Sequence, residues 1–218
     1  MRKILFLTAA LLISASAMGQ LINDVNPFVG TDGFGNCYPG AQTPYGGIQI
    51  SPDSDNKDYD CAAGYKYSKP HIMGFSLTHL SGTGIPDLGD FLFYPGIEGK
   101  EAENNFCHER EWAHPGYYAV DLTDSGVKAE MTAAKLSGVL RFTYPESDNA
   151  YVSIDLDHTL YQSCAWSSVR LLDDYTIIGS KTVKVSYDGV ETGFKINVKL
   201  DIATLILKVF CFGWLWMK

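Results

Sequence analysis

The stretch Phe75–Asp90, reading FSLTHLSGTGIPDLGD, gathers side chains that could do chemistry. His79 is followed by the turn Ser81-Gly82-Thr83-Gly84 and then by the carboxylates Asp87 and Asp90. Glycines on either side of Thr83 permit positive φ and a close approach of backbone to a ligand, while imidazole, hydroxyl and carboxylate groups converge nearby. A sugar-contacting or metal-contacting loop is built this way. The same residues also suit a tight turn between two strands, with His79 hydrogen-bonded inside the fold. A second cluster, Asp53–Asp60, carries four aspartates in eight residues. An EF-hand loop is excluded because Lys57 and Asp58 stand where Asp or Asn and then Gly are required, so the segment reads as a solvated turn. A third, Phe106–Tyr118, mixes aromatics with His108, Glu109, Glu111 and His114. Aromatic faces stack on pyranose C–H groups while charged edges bind hydroxyls, although exposed His and Glu are more often merely solvated. His71 and His158 read the same way. Asp155 and Asp157 fall at strand spacing and share one face.

These groups must be positioned by strands, because no stretch carries a helical period of useful length. Gly47–Pro52, Ile72–Leu77, Phe91–Tyr94, Tyr117–Leu122, Val127–Ala133, Gly138–Tyr144, Tyr151–Leu156 and Val169–Leu172 carry strand signals, most punctuated by Gly, Pro, Asp or Asn. Alternation of apolar and polar residues is clearest in Val127–Ala133 and Val139–Tyr144. Many short strands with frequent turns imply an all-β antiparallel sandwich of two sheets. Glu98–Glu111 is charged and reads as a surface excursion between strands.

With 218 residues, 46% of them hydrophobic, the chain can bury a sizeable core. Arg2 and Lys3, an apolar run Ile4–Ile13 and the small residues Ser14–Gly19 have the order of a secretory signal over residues 1–19. Its apolar run is too short to span a bilayer. An exported protein, periplasmic or extracellular, is expected. Removing Arg2 and Lys3 moves the formal charge from −8 to −10, which argues against nucleic acid and anionic membranes as partners. It is compatible with a divalent cation or a neutral glycan. Five cysteines without CxxC spacing suggest neither a zinc site nor a dense disulfide framework.

Seven motifs occur in order: Val25-Asn26-Pro27-Phe28-Val29-Gly30-Thr31, Tyr38-Pro39-Gly40-Ala41, Ser51-Pro52-Asp53, Gly64-Tyr65-Lys66-Tyr67, Gly74-Phe75-Ser76, Thr78-His79-Leu80-Ser81-Gly82-Thr83-Gly84 and Gly116-Tyr117-Tyr118. Together they resemble the N-terminal domain of glycoside hydrolase family 92. The resemblance implies an exported, calcium-dependent, inverting exo-α-mannosidase that acts on mannose-containing glycans. It implies a galactose-mutarotase-like supersandwich paired with a C-terminal helical barrel, the active site lying between them. It points to Tyr59, Asp60, His79, Gly82, Thr83 and Gly84 as substrate-binding residues. Tyr59 stands where the family usually has Trp before the aspartate, and Leu77 and Asn36 stand where many members carry His. An inverting glycosidase needs a carboxylic acid and a separate carboxylate that activates water. In the family both belong to the barrel, with most calcium ligands, so Asp155 and Asp157 are not favoured as that pair and this chain alone is expected to be inactive. A non-catalytic mannose-binding module and a purely structural sandwich are the alternatives.

The resemblance covers residues 20–184 and then fails. The remaining 185–218 read as a divergent, irregular apolar tail. A membrane span is not expected of it, because its apolar run is short and interrupted by Lys208; a truncated gene or shifted reading frame accounts for it better.

Overall fold

The computed structural model describes residues 22–99, 104–184, 190–201 and 204–214. The expected signal segment, 1–19, lies outside the described residues. Among the described residues the only helical turns are three short 3-10 segments, Ile22–Asp24, Tyr59–Cys61 and His108–Arg110. None is long and apolar enough to cross a membrane.

The rest is antiparallel sheet. Strands β1 (Ala41–Gln42), β2 (Gln49–Asp53), β3 (Gly74–Ser76), β4 (Leu92–Ile97) and β9 (Ala150–Asp155) form a five-stranded sheet in the order β1-β2-β3-β4-β9. Strands β5 (Glu111–His114), β6 (Tyr117–Asp121), β7 (Lys128–Ala133), β8 (Ser137–Thr143), β10 (Ser163–Asp173), β11 (Thr176–Lys184), β12 (Val190–Asp201) and β13 (Thr204–Trp214) form an eight-stranded sheet in the order β10-β11-β12-β13-β8-β7-β6-β5. Their buried faces meet in one core. Ile50, Phe75 and Phe93 come from the smaller sheet; Tyr118, Val120, Ala129, Met131, Leu140 and Phe142 come from the larger. The rings of Phe75 and Phe142 lie 5.9 Å apart across the gap. The alternation noted at Val127–Ala133 and Val139–Tyr144 is what allows this, since period-2 strands present one apolar face.

Three expectations are corrected. The stretch expected to be an irregular tail contains β12 and β13, paired along their length from Glu191↔Trp214 to Asp201↔Thr204. β13 also pairs with β8, from Thr204↔Thr143 to Phe210↔Ser137. Val190–Asp201 alternates apolar with polar or small residues, and Thr204–Trp214 is rich in β-branched and aromatic residues, which favours strands once a neighbouring edge is on offer. Within the expected surface excursion Glu98–Glu111, Asn104, Phe106 and Glu111 are buried, because Phe106 joins the core and Glu111 opens β5 facing inward. Asp53 belongs to no solvated turn: it ends β2 and is fully buried.

Phe75 lies at the centre of the sandwich with no exposure. Phe75→Ala is expected to cost about 3–5 kcal/mol and to lower Tm by roughly 10 °C. Thermal unfolding of the two proteins checks this.

Candidate functional site

A buried carboxylate cannot remain charged without partners, and Asp53 has two on opposite sides. Its Oδ1 lies 2.7 Å from His79 Nε2 and its Oδ2 lies 2.8 Å from His158 Nε2. The side chains of Asp53 and His79 are wholly out of solvent, and that of His158 almost so. The other nitrogen of His79, Nδ1, is 2.7 Å from the carbonyl oxygen of Gln49. A carbonyl only accepts, so Nδ1 donates to it, and Nε2 donates to the carboxylate. Both ring nitrogens of His79 are thus engaged, with Ser76 Oγ 3.0 Å from the same Nε2. His158 donates from Nε2, and its Nδ1 is 3.4 Å from Asn56 Nδ2. Burial raises the Asp53 carboxyl pKa, but the charge of His79 and hydrogen bonds from both imidazoles outweigh it and hold the group well below the carboxylate range.

The backbone around this centre is selected to fit it. Gly64 has φ +84°, and a Cβ there would sit 2.1 Å from Asp53 Oδ1. No L-residue satisfies both conditions. Tyr38 packs its ring 5.0 Å from that of His79. Beside the clamp lies a second buried pair. Lys181 on β11 is 2.9 Å from Asp90 Oδ1, an ion-pair contact rather than an aligned hydrogen bond, and it donates to the carbonyl oxygen of His158. Asp90 Oδ2 accepts from the Thr78 hydroxyl at 2.8 Å.

Three loops emerge from these anchors and are stitched to one another, and through Asn36 to the loop before β1. Tyr161 N donates to Asn56 O at 2.8 Å, Leu160 N to Leu88 O at 2.9 Å, and Gly82 N to Asn36 O at 2.6 Å. The Tyr59 hydroxyl donates to Gly84 O at 2.6 Å, and the rings of Tyr59 and Tyr161 meet edge to face at 5.8 Å. Strained backbone is concentrated here: Asn36, Leu88, Phe91 and Tyr161 all hold positive φ without being glycine. Tyr59, Tyr161 and Ile85 are about half exposed, so the loop cluster presents an aromatic face to solvent. Asp87 is partly buried on the same loop, and burial first, then the charge of Asp90, pushes its carboxyl pKa up.

Of the residues singled out in the sequence, Tyr59, Asp60, Gly82, Thr83 and Gly84 lie in these surface loops, Tyr59 directly joined to Gly84. Asp60 is exposed and 3.5 Å from Lys66. His79 lies beneath them with both nitrogens engaged. His158, expected from the sequence to be merely solvated, is instead buried on Asp53, 105 residues away. The mixed segment Phe106–Tyr118 is turned partly inward. Glu111 accepts from Tyr118 at 2.6 Å, Tyr65 at 3.1 Å and His108 Nδ1 at 2.7 Å, while His108 Nε2 donates to Tyr67 O at 2.9 Å. Glu109 and His114 are exposed, as are Asp155 and Asp157. Among the described residues no three His, Cys, Asp or Glu side chains converge as a metal site. Asp55 and Asp58 are instead drawn to Lys69, at 2.9 and 3.0 Å. Asp55 is held at about 2: burial raises it, but hydrogen bonds from Lys69 and two backbone amides prevail.

Residues 24–203 match the glycosyl hydrolase family 92 N-terminal domain, beyond the point near Lys184 where the motifs run out. The chain is 47% identical to a family GH92 α-mannosidase of Bacteroides thetaiotaomicron, with a TM-score of 0.79 over 89% of this chain and 31% of that one. The same enzyme has been solved in complex with mannoimidazole. A second GH92 glycosyl hydrolase structure, 24% identical with a TM-score of 0.75 over 87% of this chain and 32% of that one, shares the fold. An uncharacterized secreted glycosidase of Arthroderma benhamiae is 30% identical over 190 residues, 78% of this chain and 24% of its own. The chain thus spans about a third or less of these relatives.

The sign of the Asp53 shift gives a pH dependence. A carboxyl held below its ordinary 3.8 stabilises the fold fully above that value and loses the contribution as pH falls through the lower, folded value. Asp53→Asn is expected to cost about 3–5 kcal/mol at neutral pH, by stranding His79. Its Tm should fall less steeply than that of the parent between pH 4 and pH 2 in matched melts, about the range below ordinary carboxylate values.

Proposed function

The chain belongs to glycoside hydrolase family 92, of which it carries the N-terminal domain, and on that premise we propose that it is the sandwich domain of an exported α-mannosidase acting on terminal α-mannosides of glycans. The observation that carries this reading is the 47% identity to a GH92 α-mannosidase across 89% of the chain. The stitched loops extend it. Tyr59 and Tyr161 offer ring faces for pyranose C–H groups, and Thr83, Asp60 and the turn Gly82–Gly84 offer hydrogen-bonding groups beside them. His79 serves the face from below as a positioning residue, tying the Thr78–Asp90 loop to Asp53. Together these loops form one wall of the substrate cleft.

The acid and base of an inverting hydrolysis, and the opposite wall, come in this proposal from a C-terminal catalytic domain outside the chain. Calcium belongs with them. The aspartates of the 53–60 segment do not fit the ion: Asp53 is committed to two imidazoles, Asp55 and Asp58 to Lys69, and Asp60 lies 3.5 Å from Lys66. No step is therefore assigned to calcium on these residues. An acidic chain suits a neutral glycan partner better than nucleic acid.

Half a cleft binds weakly, since ligand contacts from the missing wall are lost while the cost of association remains. The purified chain with added calcium is expected to release no mannose from an aryl α-mannoside. Measurable release above a blank would overturn the assignment of acid and base to another domain. Tyr59→Ala should weaken α-mannobiose binding about tenfold, a loss of about 1.4 kcal/mol, in calorimetric titration. Equal heats from both proteins would remove Tyr59 from the wall.

A further inference from the structure

The eight-stranded sheet has a second face, turned away from the core, and on β6, β7 and β8 it is neither bare nor randomly polar. Alternation sends Ala129 and Met131 of β7 inward and Lys128, Glu130 and Thr132 outward. The register aligns Ala119, Glu130 and Arg141 in one row across the strands, and Tyr117, Thr132 and Val139 in the next. Tyr117, Glu130, Met131, Thr132, Val139 and Arg141 line a shallow depression there.

Its polar groups are fixed before any ligand arrives. Glu130 is only 9% exposed, and its Oε2 accepts from Arg141 Nε at 2.8 Å with Nη2 at 2.7 Å. Its Oε1 accepts from the Tyr117 hydroxyl at 2.8 Å, with Lys128 Nζ 3.7 Å away. His114 stacks on the Tyr117 ring at 4.9 Å and 16°. Trp112, with Lys128 over its ring at 5.7 Å, does not line the depression, so Tyr117 is its aromatic member. Arg141 spends only one edge of its guanidinium on Glu130 and keeps half its side chain in solvent, leaving further N–H donors directed outward.

The ligand class follows from charge and shape. Glu130 repels an anion drawn by Arg141, and Arg141 with Lys128 repels a cation drawn by Glu130. A neutral polyol meets neither objection. Its hydroxyls can accept from the N–H groups that Arg141 does not spend on Glu130, and its C–H face can lie on the face of the Tyr117 ring opposite His114. We propose that this depression is a second glycan subsite, remote from the loop face, that takes a single neutral hexopyranose. It rests on the family reading only for the choice of a mannoside as probe.

The test is an NMR titration of the full chain with α-methyl mannoside, following the side-chain Nε–H of Arg141 and the indole N–H of Trp112. Saturable shifts of Arg141 are expected in the parent and unchanged in Tyr59→Ala, which removes a ring from the loop face only. Val139→Trp, which fills the depression without touching the Glu130–Arg141 pair, should weaken them at least tenfold, and Tyr117→Ala likewise. Thermal melts of both variants control for folding. Absence of saturable shifts at Arg141 in the parent, or equal affinity in a folded Val139→Trp protein, overturns the subsite. Either result leaves the assignment of the loop face untouched, because that assignment is read from Tyr59→Ala and from hydrolysis.

Discussion

Everything at the loop end of this sandwich depends on one buried carboxylate. Asp53 sits at the end of β2 where solvent cannot reach it, and its charge persists only because His79 and His158 hold its two oxygens from different loops. A buried ion pair of this kind adds little net stability over an apolar pair, since desolvation offsets much of the attraction; breaking it is what costs. Its value here is positional. The carboxylate fixes the loop after β3 through His79 and the loop after β9 through His158, and its own strand leads directly into the third. Gly64 completes the centre by leaving room for Oδ1 where any side chain would collide.

The family motifs acquire a common physical meaning from this. Ser51-Pro52-Asp53 supplies the carboxylate, Gly64-Tyr65-Lys66-Tyr67 the glycine that admits it, Gly74-Phe75-Ser76 a core ring and the hydroxyl beside His79. Thr78–Gly84 supplies His79 itself, and Tyr38-Pro39-Gly40-Ala41 the ring packed against it. Gly116-Tyr117-Tyr118 serves the neighbouring Glu111 centre through Tyr118. Motifs scattered over nearly a hundred residues are therefore largely the walls of two buried polar sites. One layer out lie Tyr59, Tyr161 and the Gly82–Gly84 turn, the face proposed to meet substrate, with Tyr161 held at a positive φ.

The sequence made some of this legible and hid the rest for identifiable reasons. Strands such as Val127–Ala133 and Gly138–Tyr144 could be read because one buried face imposes a period of two on local sequence. The pairing of β13 with β8 could not, because it joins residues more than sixty apart and leaves no local trace. Asp53 was hidden by its neighbours: among Asp55, Asp58 and Asp60 it looks like a solvated turn, and only a fold that brings His158 across 105 residues reveals it as buried. His79 was recognisable as special from Thr78–Gly84, yet the spacing could not tell a ligand contact from the support beneath one. Tyr59 and the Gly82–Gly84 turn were singled out by the motifs, but the hydrogen bond that joins them, across 25 residues, leaves no local trace.

The most direct test of the central claim is amide hydrogen exchange on the parent and on Asp53→Ala, read across residues 55–61, 81–89 and 158–162. If Asp53 is the common anchor, loss of its carboxylate frees both His79 and His158 and releases all three segments together, with exchange rising in each while the Phe75–Phe142 core stays protected. Faster exchange confined to 158–162, with the other two loops unchanged, would contradict it.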